Sequence, residues 1–454
     1  MALKTPTSLV VQAVLDSLKN INNVDRYWIA FSGGVDSHVL LHVLASHQHQ
    51  LESKKIQAVH INHSLSPNAD QWAERCQKMC EQLKIEFVVI DVDATPRLGE
   101  SPEARARTAR YEAISKLVRK GDCLLTAHHQ DDQVETLLLQ LMRGSGPKGL
   151  SAMPEFSSFS NGMMARPLIN VRRDDVLSYA VKNQLKWIED ESNRDVKFDR
   201  NFIRHEVIPR LQQRWPSLSQ TISRSARYCA EAVEIIETSA HKALEKINPY
   251  GRESISIASL QQYSVVEQKN ILRYWFQTQG LDTPSSAQLD QVIEQVLTAA
   301  IDATPRLTWE GSEVRRYRDQ LYAIPRLKEV SIDQPVSWNL QEPLALPNVG
   351  ILNFTAGVGE GVAKKYINSS PLSVGFRQGG ETIQPVGRKE KHALKKLFQE
   401  SGIPPWVRER TPLIFIEGEL AVVGELYISQ KFHAENGEDS YIFQWQSEQL
   451  GSSA

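Results

Sequence analysis

Cysteine is nearly absent from this sequence: Cys76, Cys80, Cys123 and Cys229 are the four in 454 residues. No two are spaced C-x-x-C, so neither a zinc ribbon nor a cysteine-held cluster is available. Such scarcity argues for a reducing cytoplasm without a disulfide framework. Long hydrophobic runs are missing too, and the short, interrupted apolar stretches exclude a membrane span. The first residues, M-A-L-K-T-P-T-S-L-V-V-Q-A-V-L-D-S-L, lack a basic region leading into an apolar block with a cleavage site, and read as an amphipathic helix rather than a signal peptide. Charge of one sign is scarce: the formal net charge is -2. That is mild evidence against a nucleic-acid partner unless positive charge is concentrated locally. No internal repeat, low-complexity tract or G-x-x-x-x-G-K-[ST] loop occurs.

What is present is the balance of a soluble globular protein, 41% hydrophobic and 23% charged, long enough for two or three domains. From Arg26 to about Asn170, strand-like runs at Tyr27 to Phe31, Ile56 to Ile61, Glu86 to Asp91 and Cys123 to Ala127 alternate with helical periodicity at His38 to Ser46, Ala69 to Leu83 and Pro102 to Val118. Strict alternation predicts an α/β domain with a parallel sheet and helices on both faces. Its ligands belong at the carboxyl ends of the strands, where strand order reverses. Past Pro216 a long helical stretch, Leu218 to Ile247, and two further helices at Gln261 to Gln279 and Ser286 to Ala300 predict a mainly helical middle domain, followed by strand-like segments between Leu307 and Ile324. The proline-rich stretch from Ile324 to Leu346 reads as loops and a linker, and the last hundred residues as a small α+β domain with a helix near Lys391 to Glu400. The expected boundaries are 1–216, 217–330, a linker at 331–366, and 367–454.

Four strings carry chemistry. Y-W-I-A-F-S-G-G-V-D-S-H-V-L-L-H is a buried strand, a glycine turn and a helix. Gly33 and Gly34 let backbone approach an anion, while Ser32, Ser37 and the first amides of the helix donate where the helix dipole favours negative charge. A plain strand-to-helix turn is the alternative for a lone S-G-G; the whole hexamer Ser32, Gly33, Gly34, Val35, Asp36, Ser37 on the first strand of an α/β pattern favours anion binding. V-H-I-N-H places His60 and His63 at the end of the second strand, and without a third ligand nearby they read as hydrogen-bonded structural residues. E-A-R-A-R-T-A-R-Y puts Arg107, Arg110 and Tyr111 on about one helical face, which in isolation is a solvated basic face. T-A-H-H-Q-D-D-Q-V-E opens a helix near Asp131. Asp131 and Asp132 could be capping residues only. Yet His128 and His129 precede them, and Glu135 follows Asp132 by three residues on the same face. Carboxylates facing a phosphate site need a divalent cation between, and hard oxygen ligands favour magnesium over zinc.

S-G-G-x-D-S resembles the pyrophosphate loop of the PP-loop ATP pyrophosphatases. The resemblance implies that ATP rests its β and γ phosphates in Ser32 to Ser37 and is cleaved between α and β, with Asp36 helping to hold Mg2+. The four strings in this order, with G-L-S-A-M at Gly149 to Met153, A-R-P-L-I at Ala165 to Ile169, the string I-E-D-E-S-N-R-D-V-K-F-D-R-N-F-I-R-H-E-V-I-P-R-L from Ile188 to Leu211, and K-K-L-F-Q-E-S-G-I-P-P-W-V-R-E-R-T-P-L-I near the C-terminus, are similar to the tRNA(Ile)-lysidine synthetase family over nearly the whole chain. One departure is Ser64-Leu65-Ser66, where relatives carry an arginine shortly after the second histidine. The resemblance implies a PP-loop (adenine nucleotide α-hydrolase-like) domain and a two-step ligation. The wobble cytidine of a CAU-anticodon isoleucine tRNA is adenylated on its base oxygen, and the ε-amine of free L-lysine then displaces AMP. The tRNA then reads AUA and is charged with isoleucine instead of methionine.

That chemistry gives the residues roles. Arg110 is the cationic contact at the α phosphate, Asp36 and Asp132 hold the metal, and Glu135 deprotonates the incoming ammonium or holds its charge. His129, Asp190, Asn193, Asn201 and Arg204 are candidate lysine and cytidine contacts; for those in the Ile188 to Leu211 string, capping and surface salt bridges stand as the equal alternative. Two basic clusters, Arg194, Lys197, Arg200, Arg204, Arg210, Arg214 and Arg388, Lys389, Lys391, Lys395, Lys396 with Phe398 and Trp406 nearby, suit a partner as long as tRNA. Family members are often dimeric, so a homodimer is compatible, though no apolar stripe forces one. The rivals are a PP-loop tRNA thiolase, which would want paired cysteines or a cluster, a glutamine-dependent amidotransferase, which would want a glutaminase domain, and a non-catalytic tRNA-binding protein, against which Asp36, Asp132 and Glu135 count.

Overall fold

The computed structural model describes residues 8–51, 54–63, 68–95, 102–191, 195–249, 253–300, 303–330, 334–367 and 372–448. The chain divides into two compact units, Met1–Ile235 and Ile236–Ala454. The division falls inside a single helix rather than at the boundaries near 216 and 330 expected from composition.

The first unit is built on a six-stranded sheet in the order β3-β2-β1-β4-β6-β5, with β1 Arg26–Ala30, β2 Lys55–Asn62, β3 Glu86–Asp91, β4 Asp122–Leu125, β5 Phe156–Phe159 and β6 Gly162–Ala165. Five strands run parallel, and only β5 pairs antiparallel, through a hairpin with β6. The period of two in Y-W-I-A-F decides which side chain goes to which face. Tyr27, Ile29 and Phe31 enter one core with helices α1 (Leu9–Lys19), α2 (Val35–Ser46) and α3 (Ala69–Gln82), while Trp28 enters the other with Ile114 of α4 (Pro102–Ser115) and Leu124 of β4. Burying each large side chain of this kind contributes about 1.5–3 kcal/mol, so a slip of one residue would forfeit both faces at once. The chain lays β2 and β3 on one side of β1 and then returns to place β4 on the other. Order therefore reverses between β1 and β4, which opens a crevice at their carboxyl ends.

The chain continues through α5 (Gln130–Met142), the one-turn α6 (Pro147–Leu150), α7 (Arg173–Lys182), α8 (Asp199–Phe202), a π-helical turn Ile203–Val207, α9 (Ile208–Arg214) and the 30-residue α10 (Leu218–Ile247). Val134 of α5 is buried with Ile203, Ile208 and Leu218, so this run is fastened to α5 by its own apolar side chains.

In the second unit, a core of Trp275, Phe276, Leu289 and Val292 packs helices Val265–Thr278 and Ser286–Gln291 on a four-stranded antiparallel sheet that includes Arg306–Trp309, Ser312–Tyr317 and Gln320–Pro325. The stretch 331–366, expected to be a linker, is corrected by the structure. Its described residues carry strands Val336–Trp338, Leu344–Leu346, Gly350–Val358 and Val362–Ala363, and Trp338, Leu346, Leu352 and Val362 sit in the C-terminal core. Of the prolines in the Ile324 to Leu346 stretch, Pro325 ends the strand Gln320–Pro325, while Pro335 and Pro343 lie just outside the short strands that follow, where a missing N–H costs no ladder bond.

Candidate active site

The loop after β1 is tied down by its own polar atoms. The Ser32 and Ser37 hydroxyls lie 3.1 Å apart, Ser37 Oγ donates to the Gly34 carbonyl at 3.1 Å, and Gly34 N–H reaches Ser32 Oγ at 3.4 Å. Gly33 has φ +79°, and a Cβ there would stand 2.7 Å from both Cys76 Sγ and Ile188 Cδ1. Glycine is thus required at 33 by conformation and by space. Gly34 is different: its φ is -70°, and nothing lies nearer a Cβ than Ser32 Oγ at 3.5 Å. The turn is closed by the string from Ile188, whose first N–H donates to the Gly33 carbonyl at 2.9 Å. Two residues earlier, the Lys186 carbonyl meets His38 Nδ1 of α2 at 2.8 Å.

Across the crevice, β4 ends and His129 stands at the N-cap of α5. Asp132 Oδ2 accepts the His129 backbone N–H at 2.9 Å. His129 Nε2 lies 3.5 Å from Asp132 Oδ2 and 3.7 Å from Asp36 Oδ2, so one imidazole joins the two loops. Burial alone would lower the His129 pKa, but Asp132, Asp36 and Asp131 outweigh it and hold the ring above its ordinary value. Its neighbour His128, bonded to Thr126 Oγ1 at 2.8 Å, is pushed by burial well below that value and stays neutral. Burial would raise Asp132, yet His129, His128, Arg200 and Arg204 bring its pKa below the usual carboxylate range. One Asp132 oxygen, Oδ2, thus caps the helix start, and the other, Oδ1, faces Arg200 and Arg204.

Glu135, one turn on, is 1% exposed and clamped by two arginines. Arg204 Nε donates to Oε1 at 2.5 Å and Nη2 to Oε2 at 3.0 Å, while Arg200 Nε donates to Oε2 at 2.8 Å. Arg204 Nη2 also reaches Asp132 Oδ1 at 3.0 Å. The structure thus brings Asp36, His129, Asp132, Glu135 and Arg204 into one cluster with the Ser32–Ser37 loop beside it. Arg200, known from the sequence only as part of a basic run, joins them; its i,i+4 spacing from Arg204 was the available signal.

Other candidates fall elsewhere. Arg110 is exposed and donates from Nη2 to His63 Nε2 at 3.3 Å. His63 is accordingly neutral, its pKa lowered to about 4 by burial, Arg110 and His60. His60 Nδ1 donates to the Phe31 carbonyl at 2.9 Å, the structural role expected of it. Asp190 is half-buried two residues beyond the Ile188 bond to the loop, and Asn201 Nδ2 donates to the Asp195 carbonyl at 2.9 Å. Asn193, Arg194 and Ser64 to Ser66 lie outside the described residues. Of the first basic cluster, Arg200 and Arg204 turn inward, Arg210 pairs with Glu206 at 3.1 Å, and Lys197 and Arg214 are exposed. In the second, Lys389, Lys391, Lys395 and Lys396 are exposed, but Phe398 and Trp406 are core residues and offer no face for stacking.

For a metal, Asp36 Oδ1 is buried without a hydrogen-bond partner, whereas the Asp132 oxygens are engaged by His129, Arg200 and Arg204. Asp36 fits a magnesium ligand and Asp132, as arranged, does not. No group of three or more metal-binding side chains occurs among the described residues. Magnesium commonly takes one or two carboxylates and completes its shell with phosphate and water.

Three family models match the chain: a PP-loop domain at residues 7–211, a TilS substrate binding domain at 255–322 and a TilS substrate C-terminal domain at 372–445. A tRNA(Ile)-lysidine synthase of Coxiella burnetii is 41% identical over 94% of this chain and 94% of its own length. One of Methylococcus capsulatus is 38% identical over 90% and 94%, and one of Photobacterium profundum is 39% identical over 92% and 96%. With a substrate-binding and a C-terminal domain matched in order behind the nucleotide loop, and with relatives this similar along their whole length, the chain belongs to the tRNA(Ile)-lysidine synthase family.

Proposed function

We propose that this chain ligates free L-lysine to the wobble cytidine of the CAU-anticodon isoleucine tRNA, using ATP, and that the Asp36–His129–Asp132–Glu135 cluster is where the two steps meet. In the first, the base oxygen of the cytidine attacks the α phosphorus and pyrophosphate leaves. In the second, the lysine ε-amine forms a bond to the same base carbon and AMP leaves with the oxygen. The Ser32–Ser37 loop and the N-terminus of α2 receive the departing pyrophosphate, where the dipole favours its charge. Mg2+, held on Asp36, would neutralise charge on the phosphates. Arg110 supplies a cation for the α phosphate from α4, where it meets His63 just past the end of β2. Glu135 and Asp132 take the lysine ammonium and accept its proton before attack.

The observation that carries this reading is the placement of Glu135: 1% exposed, and fastened by Arg200 and Arg204 of the Ile188 to Leu211 string that carries the family resemblance. Held by arginines carried on a separate helical run, this carboxylate is read as the receptor for the lysine ammonium. The thiolase alternative finds no cysteine pair for its chemistry: Cys76, Cys80 and Cys123 are buried with thiols pushed up to about 12, and Cys229 stands apart from them on α10. The exposed lysines of the C-terminal helix suit the body of the tRNA. No described helix is long and apolar enough to cross a membrane.

The test mixes the purified chain with ATP, magnesium, radiolabelled lysine and a CAU-anticodon isoleucine tRNA transcript. Label is expected in the tRNA, with AMP released only when lysine and tRNA are both present. Unlabelled tRNA beside a working control enzyme would overturn the proposal.

A further inference from the structure

The carboxylates assigned to lysine are already filled. Arg204 spans Glu135 and Asp132 with three hydrogen bonds, and Arg200 adds one to Glu135 and lies 3.6 Å from Asp132 Oδ1. A guanidinium does not lose its proton in a protein, so titration cannot empty the site. Only movement can. Simple departure is also excluded, because it would leave Glu135 buried with no cation and Asp132 with His129 alone. The arginines must be exchanged for something of the same charge.

The geometry points to Arg200 and Arg204 as positioning residues that keep Glu135 and Asp132 closed to lysine until bound nucleotide draws them away, so that lysine enters only a loaded site. This rests on the reading of Glu135 as the lysine receptor. Three features support the exchange. The arginine side chains retain 22% and 25% exposure while Glu135 has 1%, so the cations have room to move and the carboxylate does not. Arg204 lies in a π-helical turn, a geometry that recurs where a helix must adjust. Asp36 is among the charges acting on Arg204, which puts that guanidinium within electrostatic reach of the nucleotide loop. A triphosphate arriving there offers each guanidinium another anionic partner that it can grip with two parallel hydrogen bonds. The phosphates gain the arginines and the carboxylates gain the ammonium, and no charge is left buried alone. Nucleotide binding thereby precedes lysine entry, which protects lysine from being held where nothing can react with it.

The test is calorimetric titration of the full chain with L-lysine, with and without α,β-methylene ATP and magnesium. For the wild type, lysine affinity is expected to rise about tenfold or more with the nucleotide analogue, and by reciprocity lysine should tighten the analogue by the same factor. Arg200→Gln, at the more removable of the two arginines, should bind lysine more tightly without nucleotide and shrink the dependence to about twofold. Wild-type affinity independent of nucleotide, or an unchanged dependence in Arg200→Gln, overturns the exchange. Glu135→Gln separates the two ideas. If it leaves lysine affinity intact in the presence of the analogue, the receptor reading fails; if it abolishes lysine binding while the wild type shows no nucleotide dependence, only the exchange fails.

Discussion

Among the described residues, two glutamates are buried between paired arginines, one in each unit. Glu135 is held by Arg200 and Arg204; Glu313, 0% exposed, accepts from Arg306 Nε at 2.9 Å and Arg315 Nε at 2.8 Å. The charges are the same, but what holds the cations is not. Arg306 and Arg315 are register partners on adjacent antiparallel strands, at most seven residues from Glu313, so the ladder itself fixes all three groups. Arg200 and Arg204 lie 65 and 69 residues from Glu135, on a run interrupted by a π-helical turn. A trio locked by a hairpin ladder can only stabilise. One whose cations ride on a separate helical run can exchange partners.

The sharpest test of that contrast is activity. Glu135→Gln is expected to lower lysine incorporation into tRNA by about 10²–10⁴-fold, the range associated with losing a general base. Glu313→Gln should leave turnover per folded molecule close to wild type, and equal losses in both variants would erase the distinction. Stability comes next. Glu313→Ala strands two arginines around a buried gap and should cost about 3–5 kcal/mol by chemical denaturation, followed through the second unit's tryptophans. A smaller effect is expected at the loop. Gly33→Ala must place a Cβ 2.7 Å from Cys76 Sγ and Ile188 Cδ1 at φ +79°, costing about 1–3 kcal/mol. It should also slow pyrophosphate release, measured by a coupled assay, whereas Gly34→Ala, with open space around it, should hardly affect stability.

The smallest effect expected is in pH dependence. His38, His42, His60, His63 and His128 are all lowered in the folded first unit, chiefly by burial. Between pH 6.5 and about 4, the upper bound being the ordinary value and the lower that of His63, the unfolded chain binds more protons than the folded one. The first unit should therefore lose stability as pH falls through that window. His129 works the other way: being raised, its contribution is complete below its ordinary value and lost as pH rises above it. Thermal melts of His63→Gln should show a shallower acid limb than wild type.

Much of the first unit was legible because burial imposes simple periods. The alternation in Y-W-I-A-F and the three-four spacing of α2 and α3 give the parallel sheet, and the sheet gives the crevice. The glycine loop and the H-H-Q-D-D-Q-V-E helix start marked its two walls. The arginine clamp was not legible, since a run of arginines reads as a solvated or RNA-facing cluster until a fold shows which point inward. Ile188 gave no chemical signal either, although its backbone closes the loop at Gly33 and its side chain helps make glycine necessary there. The supposed linker failed for a different reason: its first two strands, Val336–Trp338 and Leu344–Leu346, have three residues each and are too short to show a period against flanking prolines.

The π-helical turn also acts as a phase shift. One extra residue in a helical run turns everything after it by roughly 100° relative to what came before. Ile203 and Ile208, five apart, consequently share one apolar cluster although an α-helix would separate them. Deleting a single residue from the turn would restore regular winding and force a choice between seating Ile208 in its cluster and aiming Arg200 and Arg204 at Glu135. The inserted residue lets anchoring and charge be adjusted separately along one short stretch of chain.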